Sequence, residues 1–254
     1  MSIFLSAHWK NLLMLNYKVD AEILKPYLPR GTELDFYNGN CYASLVGFMF
    51  LQTKIKGVAF PFHINFEEVN LRFYVKFKED NQWKRGVVFI KEIVPKKMIC
   101  LIANLLYQEH YYYMPMKNSL ITTDTNFTVQ YDWYFKREWN FLQATASNIA
   151  ESLKINSEEE FIAEHYWGYS KLNKNTTSEY GVKHEPWKIH ALESYKVQCN
   201  IGELYGKQFE DYLSQNPSSS FIAAGSDIAV THRRVLKNYA LFIKNIFCIG
   251  LDVL

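Results

Sequence analysis

Glu68, Asn70 and Arg72 stand two residues apart in the stretch Phe66-Glu67-Glu68-Val69-Asn70-Leu71-Arg72-Phe73-Tyr74-Val75. In an extended chain, residues at i, i+2 and i+4 share one face, each step covering ~6.6 Å. A carboxylate, an amide and a guanidinium in such a row suit the capture of a small organic acid. Arg72 can grip a carboxylate through two parallel hydrogen bonds while Glu68 orients or shuttles a proton. The same row has a structural reading, a buried network that fixes strand register, because a buried charge left alone costs several kcal/mol. Phe66 and Tyr74 on the same face favour burial, and Tyr74 joins Asn70 and Arg72 as a candidate ligand contact. Further along, Lys91-Glu92 interrupts an apolar run. Neighbours on a strand face opposite ways, so at most one of the two shares the face of the row. By simple alternation Glu92 groups with Val88, Ile90 and Val94, and Lys91 with Val87, Phe89 and Ile93; the sequence does not choose between them. Glu109-His110 either supplies polar groups at a pocket mouth or merely finishes a helix.

These residues need strands to hold them. Val69, Leu71, Phe73 and Val75 alternate against the polar row, the signature of a strand. Gly86 to Pro95 is apolar on both faces from Val87 to Ile90, as a doubly covered strand requires. With Asn81-Gln82 between them, the two runs form an antiparallel hairpin. Leu12 to Leu15 predicts another buried strand, and Asp20 a cap for a short helix from Ala21 to Tyr27. Asn38-Gly39 predicts a hairpin turn, with a strand leaving it from Cys41 to Phe50. Pro95 fits the first position of a helix running from Lys96 to Tyr107, with Ile99, Ile102, Ala103 and Leu106 on one stripe. Residues 127–136 alternate as a strand, and Ser157 with Glu158-Glu159-Glu160 opens a short helix. Lys171 to Ser178 reads as a polar loop, Ile201 to Leu213 as a helix, and Ser219–Ala224 and Asp227–Val235 as two strands parted by Gly225-Ser226. Strands broken by a few short helices, without regular β-α-β alternation, give an α+β protein that is mainly antiparallel β. No repeat or linker divides residues 1–254, which predicts a single domain.

Composition narrows the classes of function. The formal net charge is +2 and no arginine-rich tract occurs, so nucleic acid and anionic membrane are poor candidates as partners. Aromatic residues make up 17% of the chain, which suits half-buried pleated surfaces. Cys41, Cys100, Cys199 and Cys248 lie far apart with no C-x-x-C pair, which predicts reduced thiols in the cytoplasm. The N-terminus lacks the features of a signal peptide. His8, His184 and His190 lack zinc-ligand spacing, and neither a phosphate loop, a dinucleotide fingerprint nor a nucleophile elbow appears, so no metal or cofactor is expected. The apolar tail from Tyr239 to Leu254 is too short and too interrupted to span a bilayer; it predicts a core strand or a contact in a homo-oligomer.

A family likeness follows from several of these stretches together. His8-Trp9, Val19-Asp20-Ala21 with Leu28-Pro29-Arg30-Gly31, the row Glu68-x-Asn70-x-Arg72-x-Tyr74-Val75, Gly86-Val87-x-Phe89 and His184-x-Pro186-Trp187 resemble the pattern of uncharacterised YqjF-like bacterial proteins. That family is similar in fold to acetoacetate decarboxylases, which implies a β-barrel around an internal cavity. The resemblance also implies a candidate nucleophile, because those decarboxylases use a lysine in a Pro-Lys-Lys stretch to form a Schiff base. Here Pro95-Lys96-Lys97 follows the central strand. Lys96 or Lys97 would need to lose its proton near neutral pH, as burial, a neighbouring cation or a helix N-terminus can bring about. The plain alternative is a pair of solvated lysines in the first turn of a surface helix. The sequence thus leads to a binding protein or enzyme with a pocket for a small organic acid or ketone. A Schiff-base decarboxylase or related lyase acting through Lys96 or Lys97, with Glu68 assisting, is the alternative, and a non-catalytic oligomerising scaffold a third.

Overall fold

The computed structural model describes residues 2–237. The apolar tail from Tyr239 and Cys248 lie outside the described residues. Strands dominate: β1 (Ile3–Val19), β2 (Thr32–Leu34), β3 (Cys41–Ile55), β4 (Phe66–Glu79), β5 (Gln82–Val94), β6 (Tyr111–Tyr113), β7 (Met116–Thr122), β8 (Asn126–Phe135), β9 (Glu138–Ser152), β10 (Trp167–Asn173), β11 (Thr176–His184), β12 (Lys188–Gln198), β13 (Ser219–Thr231) and β14 (Arg234–Lys237). Five short helices interrupt them: α1 (Ala21–Leu24), α2 (Lys97–Tyr107), α3 (Glu158–Ala163), α4 (Ile201–Tyr205) and α5 (Glu210–Leu213).

All the strands belong to one sheet. Its main path runs β14-β11-β10-β5-β4-β3-β1-β13-β12-β9-β8-β7, and β11 also pairs with β13. The pairings β11-β10-β5-β4-β3-β1-β13 therefore close on themselves, and β12, β9, β8 and β7 form an arm leaving the circuit at β13. Among the described strand pairs, only β5–β10 and β5–β6 are parallel. The branch point has a local cause. One edge of β13 pairs with β1 along most of its length; the other pairs with β12 over Phe221–Ala223 and with β11 over Ile228–Val230. Gly225 lies between those two stretches with φ +86°, and a Cβ there would sit 2.0 Å from the Trp9 carbonyl oxygen. Only glycine tolerates both the left-handed backbone and that approach.

The central hairpin forms as expected from its alternation. Val69, Leu71, Phe73 and Val75 pack with Leu13, Leu15, Leu45 and Trp133 on one side of the sheet. Phe66 and Tyr74 pack with Leu12, Met14, Phe48 and Trp187 on the other. Both faces of β4 are covered, so its polar row is buried rather than solvated. Asp20 caps α1 by accepting from the Glu22 amide, and the Ser157 hydroxyl accepts from the Glu160 amide at the start of α3.

Several local expectations are corrected. α2 starts at Lys97 with Lys96 as its N-cap, so Pro95 precedes the helix instead of filling its first position. Leu106, assigned to the buried stripe of that helix, is exposed, whereas Cys100 and Tyr107 are buried. Tyr111–Tyr113 adds a short strand parallel to β5. The Asn38-Gly39 turn is closed by a Tyr37–Asn40 bridge, but the strand before it, β2, pairs with β4 rather than with β3. The polar segment from Lys171 to Ser178 is strand and turn: β10 and β11 form a hairpin through it. Its polar tip stays outside, with Lys171 and residues 173–175 exposed, while Thr177 and Ser178 are buried and the Thr177 hydroxyl donates to the Arg30 carbonyl at 2.8 Å. The helix expected over residues 201–213 is broken at Gly206, where φ is +113°. The two strands expected around Gly225 are one continuous strand, β13, and β14 starts only after Thr231.

Candidate functional site

A pocket of about 280 Å³ opens beside β4, lined by residues of every strand in the closed circuit and by one face of α2. Glu68, Asn70 and Arg72 all line it. Their strand places them there by alternation, since the opposite parity of β4 is committed to the other core.

Glu92 joins them through a break in alternation. Pairing between β4 and β5 runs Leu71–Lys91 but Arg72–Phe89, so an extra residue bulges from β5. Val87 and Phe89 before the bulge and Glu92 after it consequently line the same pocket, while Ile90 and Ile93 pack on the other side. Glu92 lies opposite Asn70 in the ladder. Lys91 takes the other face, donating to the Leu204 carbonyl, and burial lowers its pKa.

The pocket is a cluster of acids about one cation. The Asn70 amide donates to Glu68 Oε1 at 2.9 Å and the Tyr111 hydroxyl to Glu68 Oε2 at 3.0 Å. Burial nevertheless pushes the Glu68 carboxyl up to about 7, because it outweighs those two bonds and the nearby Arg72 charge. Glu109, from the turn between α2 and β6, is carried up to about 8 by burial, against a hydrogen bond from Tyr180, with the Glu68 charge adding to the rise. Burial first, then the charges of Glu109 and Glu68, raise Glu92 well above the usual carboxylate range. Three buried acids share the site, and each holds its proton to higher pH than a free carboxyl does. Arg72 is 7% exposed, its Nε has no hydrogen-bond partner, and it makes no ion pair among the described residues. Its guanidinium lies 5.7 Å from the Tyr74 ring centroid. A buried cation in this condition is set up to receive an anion.

A histidine stands at the same pocket. His165 Nε2 lies 3.3 Å from Asp35 Oδ2, which also accepts from Arg85 Nε at 2.7 Å. Burial works to raise Asp35, but the bonds from His165 and Arg85 outweigh it and hold the carboxyl below its usual value. An ionised Asp35 only accepts, so Nε2 carries the imidazole proton. Burial lowers His165 to about 4, against the pull of Asp35, and leaves the ring neutral with Nδ1 as an acceptor. Nδ1 is buried without a partner, and His165 lines the pocket. That arrangement can accept a hydrogen bond or a proton from a bound molecule.

The remaining residues singled out from sequence lie elsewhere. Tyr74 is buried but does not line the pocket; its hydroxyl meets Ser44 Oγ at 2.6 Å, and Ser44 Oγ donates to Asn16 Oδ1. It belongs to a structural chain of hydrogen bonds. His110 is exposed, with Nδ1 3.1 Å from the Phe89 carbonyl oxygen. Lys96 and Lys97 sit at the start of α2 outside the pocket lining; Lys97 is exposed, its Nζ 5.0 Å from the Tyr113 ring centroid. No lysine lines the pocket among the described residues. The row thus gathers with Glu92, and the lysine pair does not. Sequence reasoning missed Tyr111, Tyr180 and His165, which carry no local spacing signal. Trp9 and Trp187, quoted only for the family likeness, also line the pocket.

The fold is that of the acetoacetate decarboxylases. The acetoacetate decarboxylase of Legionella pneumophila subsp. pneumophila str. Philadelphia 1 superposes with a TM-score of 0.64 at 11% identity, over 94% of this chain and 89% of that one. The enduracididine biosynthesis enzyme MppR, complexed with pyruvate, gives a TM-score of 0.64 at 11% identity, over 94% and 93% of the two chains. Within that fold the chain belongs to DUF2071, a family of uncharacterized conserved proteins whose pattern it matches over residues 6–227. A relative in the same vein is the uncharacterized protein YqjF of Bacillus subtilis (strain 168), 31% identical over 111 residues, or 43% of this chain and 44% of that protein. No helix among the described residues is long and apolar enough to cross a membrane.

Proposed function

We propose that the closed strand circuit is a barrel whose interior binds a small organic acid or ketone-like metabolite. The observation that carries this reading is Arg72, a buried guanidinium with no ionic partner, placed in a pocket beside Glu68 and Asn70. A ligand carboxylate supplies the missing partner through two N–H donors. Protonated Glu92 and Glu109 then act as donors to a second oxygen, a ketone or hydroxyl, and His165 Nδ1 accepts from the ligand. Asp35, bonded to His165 on its far side, sets the tautomer this requires. The pyruvate complex of MppR, a protein of the same fold, lends the ligand class support.

The competing Schiff-base lyase needs an amine inside the pocket, and neither Lys96 nor Lys97, at the start of α2, is among the residues that line it. Two measurements separate the readings. Titration with pyruvate, 2-oxobutyrate and acetoacetate, followed through tryptophan fluorescence, is expected to give saturable binding that Arg72→Gln weakens tenfold to a hundredfold, the worth of a charge-assisted hydrogen bond. Borohydride treatment of the same mixtures is expected to leave every lysine unmodified by mass spectrometry. Binding that Arg72→Gln leaves unchanged removes the reading; a borohydride-stable adduct on Lys96 or Lys97 transfers it to the lyase.

A further inference from the structure

The acids, amide and guanidinium of the pocket are all buried, whereas its exposed lining residues are apolar. Among the buried groups, Glu68, Asn70, Arg72 and Glu92 come from the first half of β4 and the end of β5. The two lining residues that are exposed are apolar: Phe60, in the turn between β3 and β4, is 49% exposed, and Met98, in the first turn of α2, is 50% exposed; His63, in the same turn as Phe60, lines the pocket beside it and is partly buried. Phe48, Phe66, Ile99 and Ile102 belong to the lining as well. A short, fully polar acid such as pyruvate would satisfy Arg72 and leave most of this wall without contact. A site built only for such an acid has no need of an apolar entrance, and solvent-exposed phenylalanine and methionine side chains at a mouth are costly to keep wet.

Building on the acid-binding reading above, we infer that the pocket takes a single-chain amphiphile head first, its carboxyl group on Arg72 and its hydrocarbon chain directed to Phe60 and Met98. Size sets the chain length. At roughly 30 Å³ for a water-sized group, a pocket of about 280 Å³ holds about nine such groups. Two carboxyl oxygens and a chain of about seven carbons fill it. Each buried methylene adds about fourfold to affinity. Protonated Glu92 and Glu109 reinforce the polarity of the arrangement, because neutral acids donate to the head and do not repel it.

The test is a series of straight-chain alkanoic acids of four to ten carbons, titrated into the protein at pH 6.5 with the fluorescence of Trp9 and Trp187 as readout. Affinity is expected to rise about fourfold per carbon and to level off near seven or eight carbons. Phe60→Ser, a substitution at an exposed position, is expected to weaken the eight-carbon acid more than the four-carbon acid. Equal affinity across the series overturns the amphiphile inference and leaves acid binding at Arg72 standing. Primary alcohols of matching length binding as tightly as the acids overturns the head-first orientation. Binding by no acid of any length removes both this inference and the reading on which it rests.

Discussion

Replacing Glu109 by glutamine isolates the cost of the acid cluster. Glutamine copies a protonated glutamic acid in shape and keeps a donor, but it cannot ionise. In the folded protein, burial and the Glu68 charge carry Glu109 from 4.5 to about 8, partly offset by Tyr180. The folded chain therefore holds this proton more tightly than the unfolded chain does. Its contribution to stability is complete below pH 4.5 and is lost as pH rises from there to about 8, above which it is flat. Each pKa unit corresponds to about 1.4 kcal/mol, so the interval represents on the order of 3–5 kcal/mol of folding free energy. Urea unfolding of the wild-type chain and the Glu109→Gln variant, followed by tryptophan fluorescence between pH 5 and 8.5, measures it directly. Titrating groups away from Glu109 cancel in the difference between the two proteins; Glu92, which the Glu109 charge raises, does not, and relief of that repulsion adds to the difference in the same direction. At pH 5 the variant is expected to match the wild type within about 1 kcal/mol, the scale of one altered hydrogen bond. At pH 8.5 it is expected to be the more stable by several kcal/mol. A difference that stays constant across the range refutes the assignment of Glu109 as a buried, proton-holding acid.

Three further outcomes follow from the same geometry. Ligand affinity is expected to fall as pH rises past about 7 to 8, by up to tenfold per unit, because Glu68 and Glu109 ionise there and oppose a carboxylate; titrations at pH 6, 7 and 8.5 check the direction. Asp35→Asn removes the charge that Arg85 and His165 share and is expected to cost about 1–3 kcal/mol in urea unfolding. In nitrogen NMR spectra the same variant is expected to shift the His165 tautomer away from the Nε2–H form. Gly225→Ala is expected to destabilise by at least 2 kcal/mol, because its Cβ has no room beside the Trp9 carbonyl and φ there is +86°. A thermal midpoint unchanged in that variant contradicts the branch-point account.

Much of the scaffold was legible because alternation and caps are local signals. The β4 row, the β4–β5 hairpin, the Asp20 and Ser157 caps and the β8 strand all follow from spacing of two or from capping chemistry within four residues. The misses share a different cause: tertiary partners override local polarity. The polar residues Thr176 to Ser178 become strand because β14 pairs with them from about sixty residues on and the Thr177 hydroxyl finds the Arg30 carbonyl, 147 residues away. Glu92 lines the pocket only because a bulge reverses parity after Ile90, and no residue type in Phe89-Ile90-Lys91 announces it. Within the site, Glu68, Asn70 and Arg72 were found from spacing, whereas His165 depends on Asp35, 130 residues away. Tyr74 shows the limit of parity: it shares the row's face of the strand, yet it closes a hydrogen bond with Ser44 outside the pocket.

The measurement that bears most directly on Arg72 is its own Nε–Hε resonance, identified by its loss in Arg72→Gln and followed while octanoate or 2-oxobutyrate is added. Binding at this guanidinium predicts a saturating shift of that one resonance, at the same ligand concentration that changes tryptophan fluorescence, with the other arginines unmoved. An Arg72 signal that stays fixed while fluorescence saturates places the ligand elsewhere and contradicts the account.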